Sequence, residues 1–266
     1  VPGAGILAAR QLRRASQAIF LVLFFLSFFV MMHGERRIPG LDLELFFDID
    51  PLASVATLFS TGRIHGALVW SLAVVGLSIV MGRAFCGWLC PMGTLQHVVA
   101  HARRWRTSVL VRRNRSGSHQ NIKYGILAFV LAAALMGSSV AGLLDPIAFL
   151  VRGLAEGALP ALVGLLDGFA ALVSLVPVYP LDMASTGVHV VLTRWQLAPD
   201  TLVTTAALLT LVLFAAALAA AAWMPRFYCR AICPLGAMLG LLARFSLFGL
   251  DRDAEACTSC GKCSER

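Results

Sequence analysis

Charge is what this chain has least of. Charged residues make up 14% of the 266, while 59% are hydrophobic and the mean hydropathy is +0.81. Ordinary soluble domains carry about 25% charged residues, so the composition predicts an integral membrane protein. Acids are absent from residues 1–14, which hold three Arg, and from residues 83–123, which hold seven Arg and one Lys. The net charge of +8 therefore lies largely beside apolar runs, where topology determinants belong. No groove-reading module accompanies it, so the lipid bilayer is the expected partner and nucleic acid is not. Cysteine is sparing too. There are seven, all in three tight spacings, and none is left over for an unrelated role.

Two of those spacings are copies of one pattern. The first reads Arg83-Ala84-Phe85-Cys86-Gly87-Trp88-Leu89-Cys90-Pro91-Met92-Gly93, the second Arg226-Phe227-Tyr228-Cys229-Arg230-Ala231-Ile232-Cys233-Pro234-Leu235-Gly236. They share an Arg three before the first Cys, an aromatic one before it, C-x3-C-P, and a Gly two past the Pro. Each follows a long apolar run, so two identically framed cysteine pairs are delivered to the end of a span. Pro favours the first turn of a helix, which predicts a helix after Cys90 and another after Cys233. In the first of these, Met92, Leu95, Val98 and Val99 recur at helical spacing ahead of Arg103, Arg104 and Arg106, the pattern of an interfacial amphipathic helix.

A bilayer core requires about 20 mainly apolar residues in helix. Residues 15–32, 65–82, 122–144 and 201–224 meet that test and are the expected transmembrane helices. A fifth stretch, 154–177, carries Glu156, Pro160 and Asp167. The outer segments 33–64 and 145–200 each hold five acids, against three and two Arg, so the Arg and Lys asymmetry places the N-terminus, both cysteine pairs and the tail on the inner, cytoplasmic face. Were 154–177 to cross, the two pairs would end on opposite faces. The expectation is therefore an all-α protein of four spans, with 147–200 an outer insertion holding an interfacial or re-entrant helix. Residues 1–250 form this membrane domain, and 251–266 begin a further one. Val1 is not Met and Arg266 falls in mid-motif, so both termini are expected to be incomplete.

Cysteines four apart on a helix project from one face, so each pair offers two thiolates to one centre. Two pairs at one depth supply four, the complement of an iron–sulfur cluster. Arg83, Arg226 and Arg230 are expected to compensate the resulting negative charge, and Phe85, Trp88, Phe227 and Tyr228 to exclude water. Structural zinc, a redox-active dithiol and inert buried thiols are the alternatives. The third spacing, Cys257-x2-Cys260-x2-Cys263, is the opening of the bacterial ferredoxin run C-x2-C-x2-C-x3-C-P, which makes these three residues ligands of a [4Fe–4S] centre.

The basic start, the outer loop with Asp50-Pro51, F-C-G-W-L-C-P, the second C-x3-C-P and the tail cysteines together resemble the NapH-type membrane ferredoxin family. That family includes the quinol dehydrogenase subunit of periplasmic nitrate reductase systems and the membrane part of the nitrous-oxide regulator NosR. The resemblance implies a multi-span protein of the bacterial inner membrane with C-terminal [4Fe–4S] domains. It also implies electron transfer between the quinone pool and ferredoxin-, cytochrome- or flavin-type partner subunits. Segment 147–200 is longer than in small members, and no flavin-binding domain is present in this sequence.

Other polar residues are read as ordinary. His97 and His101 form a surface pair at i,i+4, and His33 and His65 lie outside the hydrophobic thickness where haem ligands are expected. Asp48, Asp50, Arg63 and His65 are read as a solvated outer loop. Phe24, Phe25, Phe28 and Phe29 are apolar bulk. Two further function classes stay open: a membrane assembly or regulatory factor for a metalloenzyme, and a transporter-like protein, which would show paired broken helices.

Overall fold

Aspartate followed by proline starts two of the helices. The computed structural model describes residues 3–32, 37–38, 41–42, 48–63, 66–82, 84–102, 121–138, 140–174 and 205–248. In it Asp50 and Asp145 stand in extended backbone as N-caps, and Pro51 and Pro146 take the first helical positions, where a missing N–H costs nothing. Helix α1 is Gly3–Met32, α2 Pro51–Thr61, α3 Ala67–Met81, α4 Ala84–Trp88 and α5 Pro91–Ala102. After α6 (Ile122–Leu135) and α7 (Ala141–Leu144) come α8 (Pro146–Arg152), a π-helical stretch Gly153–Ala158 and α9 (Leu159–Ser174). Helices α10 (Thr205–Trp223), α11 (Phe227–Ala231) and α12 (Pro234–Leu242) follow. Strands Arg37–Ile38 and Leu41–Asp42 pair as a two-residue antiparallel ladder, and the other regular structure among the described residues is helical.

The order is a repeat. An Asp-capped helix, an apolar helix, a short helix ending near a cysteine pair and a Pro-led helix occur as α2–α5. They occur again as α8/α9, α10, α11 and α12. Helices α2 and α12 both pack on α6, while α10 packs on α5 and on the π-helical stretch, and α1 lies against α5. Phe24, Leu52, Met92, Val130, Ile147, Leu150, Leu235 and Leu239 are buried between them. Outward faces are apolar as well: Val22, Phe129, Leu165, Leu209 and Val212 are all exposed.

The span count differs from expectation. Among the described residues two helical stretches are long and apolar enough to cross a bilayer, Gln11–Met32 (22 residues) and Pro146–Leu166 (21 residues), not four. The first contains the expected 15–32. Helix α3 has 15 residues, and at 1.5 Å per residue it reaches about 22 Å, short of the ~30 Å hydrocarbon core. The expected span 122–144 is broken after Leu135, where Gly137 turns through a positive φ of 76°. The apolar stretch of α10, Ala207–Trp223, also falls short.

The second candidate span runs through the region assigned to an outer insertion. Pro160 does not end it. The backbone widens into π-helix at Gly153–Ala158, just ahead of the position where proline removes a donor and crowds the preceding turn. Residues 175–200 and the segment 251–266 lie outside the described residues.

The π-helical stretch packs by virtue of two glycines. A Cβ on Gly153 would overlap the Phe214 ring, and one on Gly157 would stand 3.1 Å from Leu211 Cα. Gly153→Ala should therefore destabilise the full chain by about 1–3 kcal/mol through overpacking, read as a lower melting temperature in detergent. Phe214→Leu in the same chain should recover most of the loss. Equal melting of Gly153→Ala and the parent would show that the ring yields freely.

Candidate metal centre

Each cysteine pair forms a corner between two helices, not one helical face. Cys86 lies in α4, which ends at Trp88, and Cys90 stands just before α5. Cys229 lies in α11, and Cys233 is the extended N-cap of α12. The closing hydrogen bonds match in the two copies. Leu89 N and Cys90 N both donate to Phe85 O at 3.0 Å, and Ile232 N and Cys233 N to Tyr228 O at 3.0 and 2.9 Å. Thr94 N donates to Cys90 O and Ala237 N to Cys233 O, each at 3.1 Å. The aromatic shared by the pattern is thus the residue whose carbonyl turns the corner, and both Phe85 and Tyr228 are buried. Trp88 and Phe227 are only half-buried.

The shared glycine has an equally specific task. A Cβ on Gly93 would stand 2.9 Å from Cys86 O, and one on Gly236 3.0 Å from Cys229 O. Backbone meets backbone here, and only glycine lets the new helix start that close to the first cysteine. The same approach turns the glycine N–H to sulfur: Gly236 N donates to Cys233 Sγ at 3.2 Å, and Gly93 N–H does so to Cys90.

The four thiols lie within electrostatic reach of one another. Burial, then Cys229 and Cys86, push the Cys90 thiol well above its ordinary value. Burial, then Cys229, Cys86 and Cys90, do the same to Cys233. Cys229 is pushed up to about 12 by burial and then Cys86, against the pull of the Arg226 guanidinium. Arg226 exerts this pull from a left-handed backbone (φ 57°). Arg230 is half-buried, and burial holds its guanidinium below the ordinary value. Arg83 lies outside the described residues, as do Cys257, Cys260, Cys263, His33 and His65. A source of positive potential the spacing did not announce is the pair of helix N-termini, α5 and α12, that start at Cys90 and Cys233.

Two other contacts pin the corners. Gln17 Nε2 donates to Gly87 O at 2.7 Å and Ser16 Oγ to Trp88 O at 3.2 Å, which ties α1 to the first corner. Tyr228 Oη donates to Leu144 O at 2.6 Å, and its ring stacks on Phe149 at 5.1 Å, which ties the second corner to α7 and α8. Helix α5 buries a line that differs from its apolar spacing. Met92, Gln96 and Ala100 form a buried line at four-residue spacing, and Val98 is the exposed residue. His97 faces a groove of about 520 Å³ shared with Arg14, Gln17, Ala18, Leu21, Thr94 and Val98. The phenylalanines of α1 divide, with Phe24 and Phe28 buried and Phe29 exposed.

Among the described residues no three His, Cys, Asp or Glu side chains gather closely enough to hold a metal ion. In a cubane each thiolate binds a different iron, so its sulfurs stand farther apart than around one tetrahedral zinc. Four thiols that feel one another's charge, two of them accepting from a backbone N–H, are the chemistry such a group takes, since hydrogen bonds to sulfur and burial are what tune it.

Residues 64–109 and 206–252 match the family model described as a 4Fe-4S binding domain. Both corners fall inside. The chain is similar to YccM of Escherichia coli, whose name proposes electron transport, at 25% identity over 85% of this chain and 54% of that protein. It is similar to the methylamine utilization ferredoxin-type protein MauN of Paracoccus denitrificans at 24% identity, over 80% of this chain and 59% of that protein. The ferredoxin-type protein NapH of Haemophilus influenzae is 28% identical over 54% of this chain and 51% of that protein. The chain spans little more than half the length of these relatives. The relationship is thus to ferredoxin-type proteins generally and not to NapH in particular. No solved structure matches the chain.

Proposed function

We propose that the chain is a membrane-embedded iron–sulfur electron-transfer subunit, working between the quinone pool or a partner redox protein and another acceptor. The observation that carries this reading is the pair of corners with matching hydrogen bonds that bring Cys86, Cys90, Cys229 and Cys233 within electrostatic reach of one another. A [4Fe–4S] cluster, when bound, supplies reversible one-electron transfer. The chain's own part is to hold four thiolates, to screen their charge with Arg226 and two helix N-termini, and to keep water out with Phe85 and Tyr228. Thiols pushed this high release their protons only to a strong cation, so loading is expected to release protons. Exposed apolar faces on α1, α6, α9 and α10 and the two candidate spans support placement in a bilayer. The groove beside α1 sets Arg14, Thr94 and His97 against apolar walls, a lining suited to a quinone headgroup. Cys257, Cys260 and Cys263 would serve a second, ferredoxin-type centre.

The test is iron and acid-labile sulfide in the full-length protein purified without oxygen, followed by electron paramagnetic resonance after reduction. Stoichiometric iron and sulfide, with a paramagnetic signal that reduced quinol or dithionite elicits, is the expected result. Weakly held, sub-stoichiometric metal with no such signal would instead favour an assembly or regulatory factor.

A further inference from the structure

Asp50, read from sequence as part of a solvated outer loop, and Asp145 are both buried, each 2% exposed. Each carboxyl uses one oxygen to cap its own helix. Asp50 Oδ1 accepts from Leu52 N at 2.9 Å and Ala53 N at 3.4 Å, and Asp145 Oδ2 from Ile147 N at 2.9 Å and Ala148 N at 3.1 Å. The remaining oxygens, Asp50 Oδ2 and Asp145 Oδ1, are buried without a donor. The two side chains lie within hydrogen-bonding reach of each other. Ionised carboxylates only accept, and two of them in contact do not both ionise, so the contact requires a hydrogen. A metal cation fits poorly. Hard cations take about six or more oxygens, and this pair has two to spare.

We propose that Asp50 and Asp145 form a proton-binding site, one proton lying between Asp50 Oδ2 and Asp145 Oδ1, and that its occupancy responds to charge added at the cysteine corners. Both residues lie outside the candidate spans. Burial raises both groups, and for Asp145 the neighbouring Asp50 raises it further. Among the described residues the charge of Asp145 also reaches Cys90 and Tyr228, and pushes both upward. Lys123, the buried cation of α6, lies 5.2 Å over the Tyr124 ring. The mechanical link is short: Leu144 O, one residue before Asp145, accepts from Tyr228, one residue before Cys229. An electron arriving at the corners makes the negative charge left on the singly protonated pair more costly, so the pair takes up a second proton from water and the reduced state is stabilised.

The proton site stands on its own geometry, whereas its coupling to reduction rests on the electron-transfer reading. The experiment is infrared spectroscopy of the full-length protein in detergent, in H2O and D2O, with Asp50→Asn and Asp145→Asn beside it. Asn caps helices as well as Asp, so both variants keep their helix starts. The expected result is a protonated-carboxyl carbonyl stretch in the parent at neutral pH that shifts in D2O, is lost in Asp145→Asn and is moved or lost in Asp50→Asn. A parent without that band, or a band unchanged in both variants, overturns the site; the parent measurement decides even if neither variant folds.

Coupling is read from the midpoint potential. It should fall as pH rises, by up to about 59 mV per pH unit, the tenfold change in proton activity converted for one electron, and should be flat in Asp145→Asn. A band that ignores reduction, with a potential independent of pH, overturns the coupling. Protein without redox-active iron defeats the electron-transfer reading, and the first measurement still decides the proton site.

Discussion

Cys86→Ser and Cys229→Ser are each expected to remove most of one and the same paramagnetic signal, and the double variant little more than either. Each pair alone offers two thiolates, whereas a cubane asks for one ligand at each of four irons. The structure supplies the reason to expect one shared centre: the charge of Cys86, in the first corner, reaches both Cys229 and Cys233 in the second. A serine oxygen is a harder and more reluctant ligand than a thiolate, so losing either side unmakes the set. Groups that act as a unit are non-additive, which is why the double change should add little. Two different signals, each lost with its own pair, would show two separate centres. An unchanged spectrum in both variants would return the corners to a structural or thiol role. Any signal from Cys257, Cys260 and Cys263 should persist throughout, given a full-length chain that completes their ligand set.

The second large effect is expected from a single methyl group. Gly93→Ala puts a Cβ 2.9 Å from Cys86 O, and Gly236→Ala puts one 3.0 Å from Cys229 O. A carbonyl cannot swing aside as a side chain does, so the corner must open and carry a thiol with it. Overpacking of this kind costs about 1–3 kcal/mol, enough to leave the helices folded while iron content falls sharply. Gly87→Ala is the control, because a Cβ there meets nothing within 4 Å. The second copy already makes that point, with Arg230 in the matching place. Iron loss equal in Gly87→Ala and Gly93→Ala would mean that the close approach is not what positions the cysteines.

The helix starts at the cysteine pairs were legible because their signals are local, whereas the turn that takes each pair off a single helical face was not. Pro91 and Pro234 announce helix starts, and the repeated aromatic and glycine have tasks within ten residues of themselves. The membrane crossing was misread because hydropathy does not register breaks. The apolar run 122–144 hides the turn at Gly137. Pro160 suggested an interruption that the π-helical stretch absorbs. Asp50 was taken as solvated because its partner, Asp145, lies 95 positions away. Both are followed by proline, but Asp50 precedes Cys86 by 36 residues and Asp145 precedes Cys229 by 84, and the unequal spacing concealed the repeat.

The contacts that pin the first corner set a timetable for synthesis. Gln17 binds the carbonyl of Gly87, 70 residues later in the chain, and translation proceeds at about 5–20 residues per second. The N-terminal helix therefore waits roughly 4–14 seconds for its hydrogen-bond acceptor. Cys86 and Cys90 then wait roughly 7–29 seconds more for the second pair, which lies 143 residues on. Throughout that interval the first two thiols lack the burial and the neighbours of the finished protein, so they are open to oxidation or to the wrong metal. Newly made chains should thus depend on a reducing compartment for longer than folded ones do, and a ribosome pause after the first pair should lengthen that dependence.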